Sequence, residues 1–273
     1  MAARDPHRFV NELDETAIKR LIDRLESRAK DSVFTRLIDK YAEQLALTRP
    51  ARVLEVGCGT GAMIRAFVRR KEFTGQAIGV DQSQPFIDAA RYYAQQEHLG
   101  ERLEFQLGDA HNLEFPGACF DVVIANTLMS HVTEPAHVLV EMARVVKPGG
   151  TLAIFDGDYA SLTYAYPDHK FGQKMDQALA AASFNNPHIM RDLPKLIGDY
   201  GLELDSAWGD AVVEIGNGSY FKSFAETYAP YVANAGLLNH DEVDSWLSVQ
   251  NDAMNLGTFF ASCNYYTYML RCP

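Results

Sequence analysis

The stretch Val53–Ala62, VLEVGCGTGA, decides how this chain folds. Val53, Leu54 and Val56 suit a buried strand, and Gly57, Gly59 and Gly61 then let the backbone turn tightly and approach a ligand with no Cβ in the way. The spacing predicts a helix immediately afterwards, over 61–70. A strand that enters a glycine turn and leaves as a helix opens a βαβ unit, so the free N–H groups of that helix point toward whatever the turn holds.

Working outward, the same rhythm repeats. Short apolar runs rich in Val, Ile, Leu or Phe predict strands at 51–56, 76–81, 102–107, 120–125 and 151–156. Helical spacing appears at 84–98 and at 135–146, where Lys147, Pro148 and two glycines stop the helix and turn the chain into the next strand. After Asp156 the rhythm changes: helices are expected at 168–183, 189–200, 219–234 and 240–256, with late strands at 201–215 and 258–270. The expected class is α/β, a Rossmann-like, seven-stranded, mostly parallel sheet with helices on both faces plus helical cap elements. Residues 1–50 form an N-terminal helical cap, 51–215 and 258–273 the core, and 216–257 a helical insertion over the carboxyl edge of the sheet, where open parallel sheets bind ligands. The aromatic last strand is read as a possible sheet edge, leaving monomer and homodimer both open.

Composition narrows the partners. With 273 residues, 47% of them hydrophobic, the chain buries a full core, and a net charge of −11 argues against nucleic acid, which needs a concentrated positive field. The basic run Arg65–Lys71 reads as a solvated helix face. Cys58, Cys119, Cys263 and Cys272 show no C-x-x-C pair and no zinc spacing with histidine, so reduced thiols and no metal are expected. No run has the length of a membrane span and the charged N-terminus lacks the apolar stretch of a signal peptide, which predicts a cytoplasmic protein.

The glycine turn alone leaves the nucleotide open. Gly57-x-Gly59-x-x-Ala62 also satisfies the fingerprint for a nicotinamide dinucleotide. Asp81, at the end of the second strand, suits the ribose hydroxyls of either cofactor; the competing role of capping the next helix is better filled by Ser83. Tyr166 and Lys170 have the Tyr-x-x-x-Lys spacing of short-chain dehydrogenases, but Pro167 and Asp168 between them favour a helix start.

Three features decide. Glu55 stands within the first strand where a dehydrogenase usually has an apolar residue, Asp109 follows the third strand in GDAHNLEF, and VVKPGG precedes the fifth. With VLEVGCGTG and IGVDQS, these make residues 50–157 resemble the class I S-adenosylmethionine-dependent methyltransferases, in the type 11-like branch with the ubiquinone and menaquinone biosynthesis methylases. The resemblance implies S-adenosyl-L-methionine as cofactor and S-adenosyl-L-homocysteine as product. It also implies that Glu55 and the backbone around Gly57 and Gly59 meet the methionine end, with Gly61 also cofactor-binding, that Asp81 and Gln82 take the ribose, that Asp109 and the Ala110 N–H read adenine, and that Asn126 and Thr127 border the methionine.

The acceptor side is read from later loops. His131 in NTLMSHVTEP is the candidate general base, against the alternative of a histidine that caps or packs. Asp156, Asp158 and Tyr159 follow the fifth strand; Asp158 is the second catalytic candidate and Tyr159 a substrate contact, with loop capping the alternative for Asp158. FNNPHIMRDLP offers Asn186 and Arg191, the latter for an anionic group or for an ion pair with a nearby acid. Tyr220 and Tyr265, with Phe221, Trp246, Tyr266 and Tyr268, either wall an aromatic pocket or fill the core. The expected reaction is methyl transfer to a small or medium organic molecule. A nicotinamide-dependent oxidoreductase and a non-catalytic cofactor-binding protein are the alternatives.

Overall fold

The computed structural model describes residues 5–45 and 50–272; the parts of the terminal expectations at 1–4, 46–49 and 273 lie outside the described residues. Seven strands form one sheet in the order β3-β2-β1-β4-β5-β7-β6. They are β1 (Arg52–Val56), β2 (Gln76–Asp81), β3 (Leu103–Leu107), β4 (Phe120–Asn126), β5 (Val146–Tyr164), β6 (Glu203–Gly216) and β7 (Phe259–Arg271). The first five run parallel, and β7 lies antiparallel between β5 and β6. The order reverses between β1 and β4, which opens a crevice at their carboxyl ends.

The helices are α1 (Glu15–Lys30), α2 (Ser32–Leu45), α3 (Ala62–Val68), α4 (Gln84–Gln96), α5 (Pro135–Val145), α6 (His169–Ser183), α7 (Ile189–Asp199), α8 (Tyr220–Asn234) and α9 (His240–Asn255). Several start at a side-chain cap: Asp14 caps α1, Asp168 caps α6, and Asn239 with Glu242 forms a capping box on α9. Ile38, Tyr41, Phe67 and Ile87 pack one face of the sheet, and Val138, Leu139, Leu193 and Ile197 the other. A third apolar cluster, including Leu179, Phe224 and Trp246, sits over the far ends of β5 and β7. No helix among the described residues is long and apolar enough to cross a membrane.

Three expectations change. Strand β5 runs to Tyr164 instead of ending at Asp156, because β7 pairs with it again at Thr163 and Tyr164 after an irregular stretch following Asp158. The polar residues that interrupt the apolar run there hide this extension in the sequence. The aromatic last strand is internal, and the edge strand on that side of the sheet is β6. Arg65 is not on a solvated face: it is 2% exposed and paired with Glu26 and Glu97.

Candidate active site

A cavity of about 400 Å³ opens at the carboxyl ends of β1, β2 and β4, roofed by the N-terminal segment, α1 and α8. Gly57, Gly59 and Gly61 all have positive φ, at 67°, 54° and 70°. Gly57 and Gly59 form cavity wall. Gly61 serves packing: a Cβ there would lie 2.4 Å from the Phe105 ring.

The strand ends carry the polar groups. Asp81 accepts hydrogen bonds from the N–H of Gly59 at 2.8 Å and of Ser83 at 2.9 Å, which ties the glycine turn to β2, while Ser83 caps α4. Burial raises the Asp81 carboxyl above its ordinary value despite those two bonds. Beside it Gln82 donates to the Arg8 carbonyl and receives a bond from Asn11, so the N-terminal segment is fastened over this corner. Asp109 and Ala110 lie on the wall; the Asp109 carboxylate folds its own turn, accepting from the His111 N–H at 2.9 Å and meeting His111 Nδ1 at 2.8 Å. Partial burial of Asp109 works the other way, but those bonds hold its carboxyl below the ordinary value.

Glu55 is 1% exposed. Its Oε1 accepts from Asn126 Nδ2 at 2.6 Å, and its Oε2 accepts from the Ile64 N–H at 3.2 Å, in the first turn of α3. Burial pushes its carboxyl up to about 7, with the Asn126 and Ile64 bonds opposing. Asn126 Nδ2 also reaches Tyr41, leaving its buried Oδ1 without a donor. Thr127, at a left-handed φ of 49°, accepts from Arg28 Nη2 at 3.0 Å.

The other end of the cavity is aromatic. Tyr159 stacks on Phe184 with ring centroids 3.4 Å apart, and Tyr220, Phe224 and Tyr228 continue the wall. His131 lies on this wall with Nδ1 2.6 Å from Asp5 Oδ2, and its ring is 4.7 Å from that of His7, whose Nε2 meets the Tyr228 hydroxyl at 2.7 Å. Burial lowers the His131 pKa, but the Asp5 charge and hydrogen bond, with Asp156 behind them, carry it above the ordinary value. His7 is driven well below its ordinary value by burial and then by His131, Arg28 and Arg24.

The remaining candidates stand behind the wall. Asp158, 2% exposed, accepts from Arg191 Nε and Nη2 at 3.0 and 2.9 Å, so the two are mutual partners, and neither lines the cavity. Asn186 donates to the carbonyls of Met129 and Val132, and Asp156 accepts from the Ser130 N–H and hydroxyl; both shape the loop that carries His131. Tyr265 is buried behind Tyr220, their hydroxyls 2.5 Å apart. Trp246 and Phe221 are core. Tyr166 packs on Phe171, and neither it nor Lys170 reaches the cavity.

Sequence reading missed Asp5, His7, Arg24, Arg28 and Tyr228. The signal present was the four-residue spacing of Arg24 and Arg28, which puts both on the α1 face that also carries the buried Leu21.

The sheet order, the carboxylates at the ends of β1 and β2 with Asp109 just beyond β3, and the glycine turn between them define a class I S-adenosylmethionine-dependent methyltransferase fold. Residues 54–154 match the family model for a methyltransferase domain, the domain type of the class I S-adenosylmethionine-dependent methyltransferases in their type 11-like branch. It is 33% identical over 131 residues to 27-O-demethylrifamycin SV methyltransferase of Amycolatopsis mediterranei, covering 48% of this chain and 47% of that one. It is 27% identical over 259 residues to an uncharacterized 37.1 kDa protein in a transposon of Streptomyces fradiae, covering 85% and 70%. The crystal structure of a putative methyltransferase from Bacillus halodurans superposes with a TM-score of 0.60 at 18% identity, over 86% of this chain and 98% of that one. The matched region spans less than half the length of the named rifamycin relative.

Proposed function

We propose that this protein transfers the methyl group of S-adenosylmethionine to a small or medium organic molecule held against the aromatic wall. One observation carries the choice of cofactor: the Glu55 carboxylate already occupies an N–H of the first turn of α3. A dinucleotide would set its pyrophosphate at that helix start, against a buried carboxylate, whereas a cofactor with a cationic methionine end gains from it.

The residues present fit that cofactor. Glu55 and the donorless Oδ1 of Asn126 are acceptors for the methionine ammonium, and Arg28 beside Thr127 is a cation for its carboxylate. The other sequence-derived roles follow: Gly57 and Gly59 pass the cofactor closely, Asp81 with Gln82 takes the ribose diol, and Asp109 with the Ala110 N–H takes adenine. The cofactor supplies a methyl group activated by its sulfonium, and S-adenosylhomocysteine is the product.

What the chain adds is alignment in a dry cavity, worth roughly 7–11 kcal/mol in the best intramolecular models. Tyr159 and Phe184 hold a flat acceptor, and His131, oriented by Asp5, takes a proton from the nucleophile where it carries one. Asp158 and Arg191 act only through each other, as a brace under this wall. Residues 5–45 and 216–257 act as cap elements over the core. No metal takes part in this reading. The buried free thiols Cys58, Cys263 and Cys272 suit a reducing, cytoplasmic setting.

Calorimetric titration with S-adenosylmethionine, S-adenosylhomocysteine and NADH tests the reading. The first two should bind and NADH should not. Asp81→Ala should weaken binding about 100-fold, the loss of two hydrogen bonds to a charged group. Binding of NADH alone would overturn it.

A further inference from the structure

Two arginines are deeply buried on this side of the molecule, and they differ in their company. Arg65 has the carboxylates of Glu26 and Glu97. Arg24, 7% exposed on the inner face of α1, has no carboxylate within 4 Å among the described residues. Its guanidinium lies over the rings of Tyr220, Phe224 and Tyr228 at 4.9, 5.1 and 5.1 Å, and its Nη1 donates to Ser223 Oγ at 3.2 Å. A guanidinium has five N–H donors, so the hydroxyls of Ser223 and Tyr228 leave several unmet on a side chain that is cavity wall.

A buried cation without a counter-ion is expensive, and the aromatic faces repay only part of the cost. The nearby acids are committed elsewhere: Asp5 to His131, Glu26 to Arg65 and Thr60, Glu55 to Asn126 and α3. Arg28, one turn further along α1, points to Thr127 and so to the cofactor's methionine end. Arg24 is therefore about one helical turn, roughly 6 Å, away from that end, beside the stacked pair Tyr159 and Phe184.

We propose that Arg24 anchors an anionic group of the methyl acceptor, and that the acceptor is a flat, largely apolar molecule bearing a carboxylate. A monoanion fits better than a phosphate dianion, because Arg24 is the one deeply buried guanidinium in a cavity wall that also carries Glu55 and Asp81. The flat body lies along Tyr159 and Phe184, and the bidentate geometry of guanidinium and carboxylate fixes which of its atoms faces the methyl group. This rests on the reading that the other half of the cavity holds S-adenosylmethionine.

The test uses the full chain saturated with S-adenosylhomocysteine and titrated with biphenyl-4-carboxylate, biphenyl-4-methanol and phenyl phosphate. The carboxylate should bind at least tenfold more tightly than the neutral alcohol and more tightly than the phosphate. Arg24→Met should abolish the preference over the alcohol and Arg24→Lys should retain part of it, both variants still binding S-adenosylhomocysteine as proof of folding. Arg28→Met should weaken S-adenosylhomocysteine and leave the carboxylate preference in place. Equal affinity for acid and alcohol, no binding of the acid, a preference for phosphate, or an unchanged preference in Arg24→Met each overturns the proposal. Failure of S-adenosylhomocysteine to bind the unaltered protein overturns the cofactor reading instead.

Discussion

Asp5 Oδ2 lies 2.6 Å from Nδ1 of His131, joining the N-terminal segment to the loop after β4 across 126 residues of sequence. The carboxylate raises the pKa of His131, so removing it lowers that value. A histidine that must be neutral to accept a proton then becomes competent at lower pH. In Asp5→Asn the acid limb of the single-turnover rate against pH should move to lower pH, with a reduced plateau because the ring loses its orientation. His131→Gln should lower the plateau itself, by about 100-fold if the acceptor carries a proton. An unchanged rate in His131→Gln would remove it as a base.

Glu55 supplies a second pH dependence, on binding rather than rate. Burial holds its carboxyl near 7 in the free protein, so at pH 6 most molecules must lose a proton before they accept the cofactor's ammonium. Affinity for S-adenosylhomocysteine should rise about tenfold between pH 6 and 8 and level off above 7. Calorimetry across that range should show the rise in the unaltered protein and a weaker, flat affinity in Glu55→Gln.

Arg65 is a test of the core beneath the site. Its Nη2 meets both carboxylate oxygens of Glu26, at 2.6 and 2.7 Å, and its Nη1 reaches Glu97. Replacing it by Met leaves Glu26 buried and short of its cation, which should destabilise the protein by about 3–5 kcal/mol in denaturant unfolding. Glu26 also accepts from the Thr60 hydroxyl in the glycine turn, so cofactor affinity should fall with stability.

Asp176 on α6 is buried, accepts from the Tyr164 N–H at 3.1 Å, and has its carboxyl pushed up to about 7 by that burial. Its folded pKa exceeds its unfolded one, so the native state holds the proton longer and stability is lost as pH rises from about 4 toward 7. Asp176→Asn cannot ionise. The melting temperature of the variant should gain on that of the unaltered protein from pH 5 to about pH 7 and level off above it; parallel curves would show that Asp176 does not titrate there.

Local and non-local interactions set different features of this chain. The strands β1, β2, β3, β4, β6 and β7 and helices α3–α9 follow from apolar period and from caps and breakers a few residues away, such as Ser83 before α4 and Gly150 before the sheet portion of β5. The ends of β1 and β2 and the turn after β3 are fixed by the same local signals, so the places of Glu55, Asp81 and Asp109 at the cavity follow from the chain alone. The length of β5 does not, because Thr163 and Tyr164 are strand only through Ser262 and Ala261, about a hundred residues away.

The sequence by itself determined most of the strands, the glycine turn and the carboxylates at its mouth, since all of these are set by neighbours within a few positions. Only the tertiary structure decided that Asp5 holds His131, that Asp158 and Arg191 pair behind the wall, and that Arg24 is left among aromatic rings without an acid. Whether a charged side chain finds its partner in another element or faces a cavity depends on how α1, α8 and the late strands pack. That packing is governed by buried area and close fit between distant segments, which no local pattern encodes.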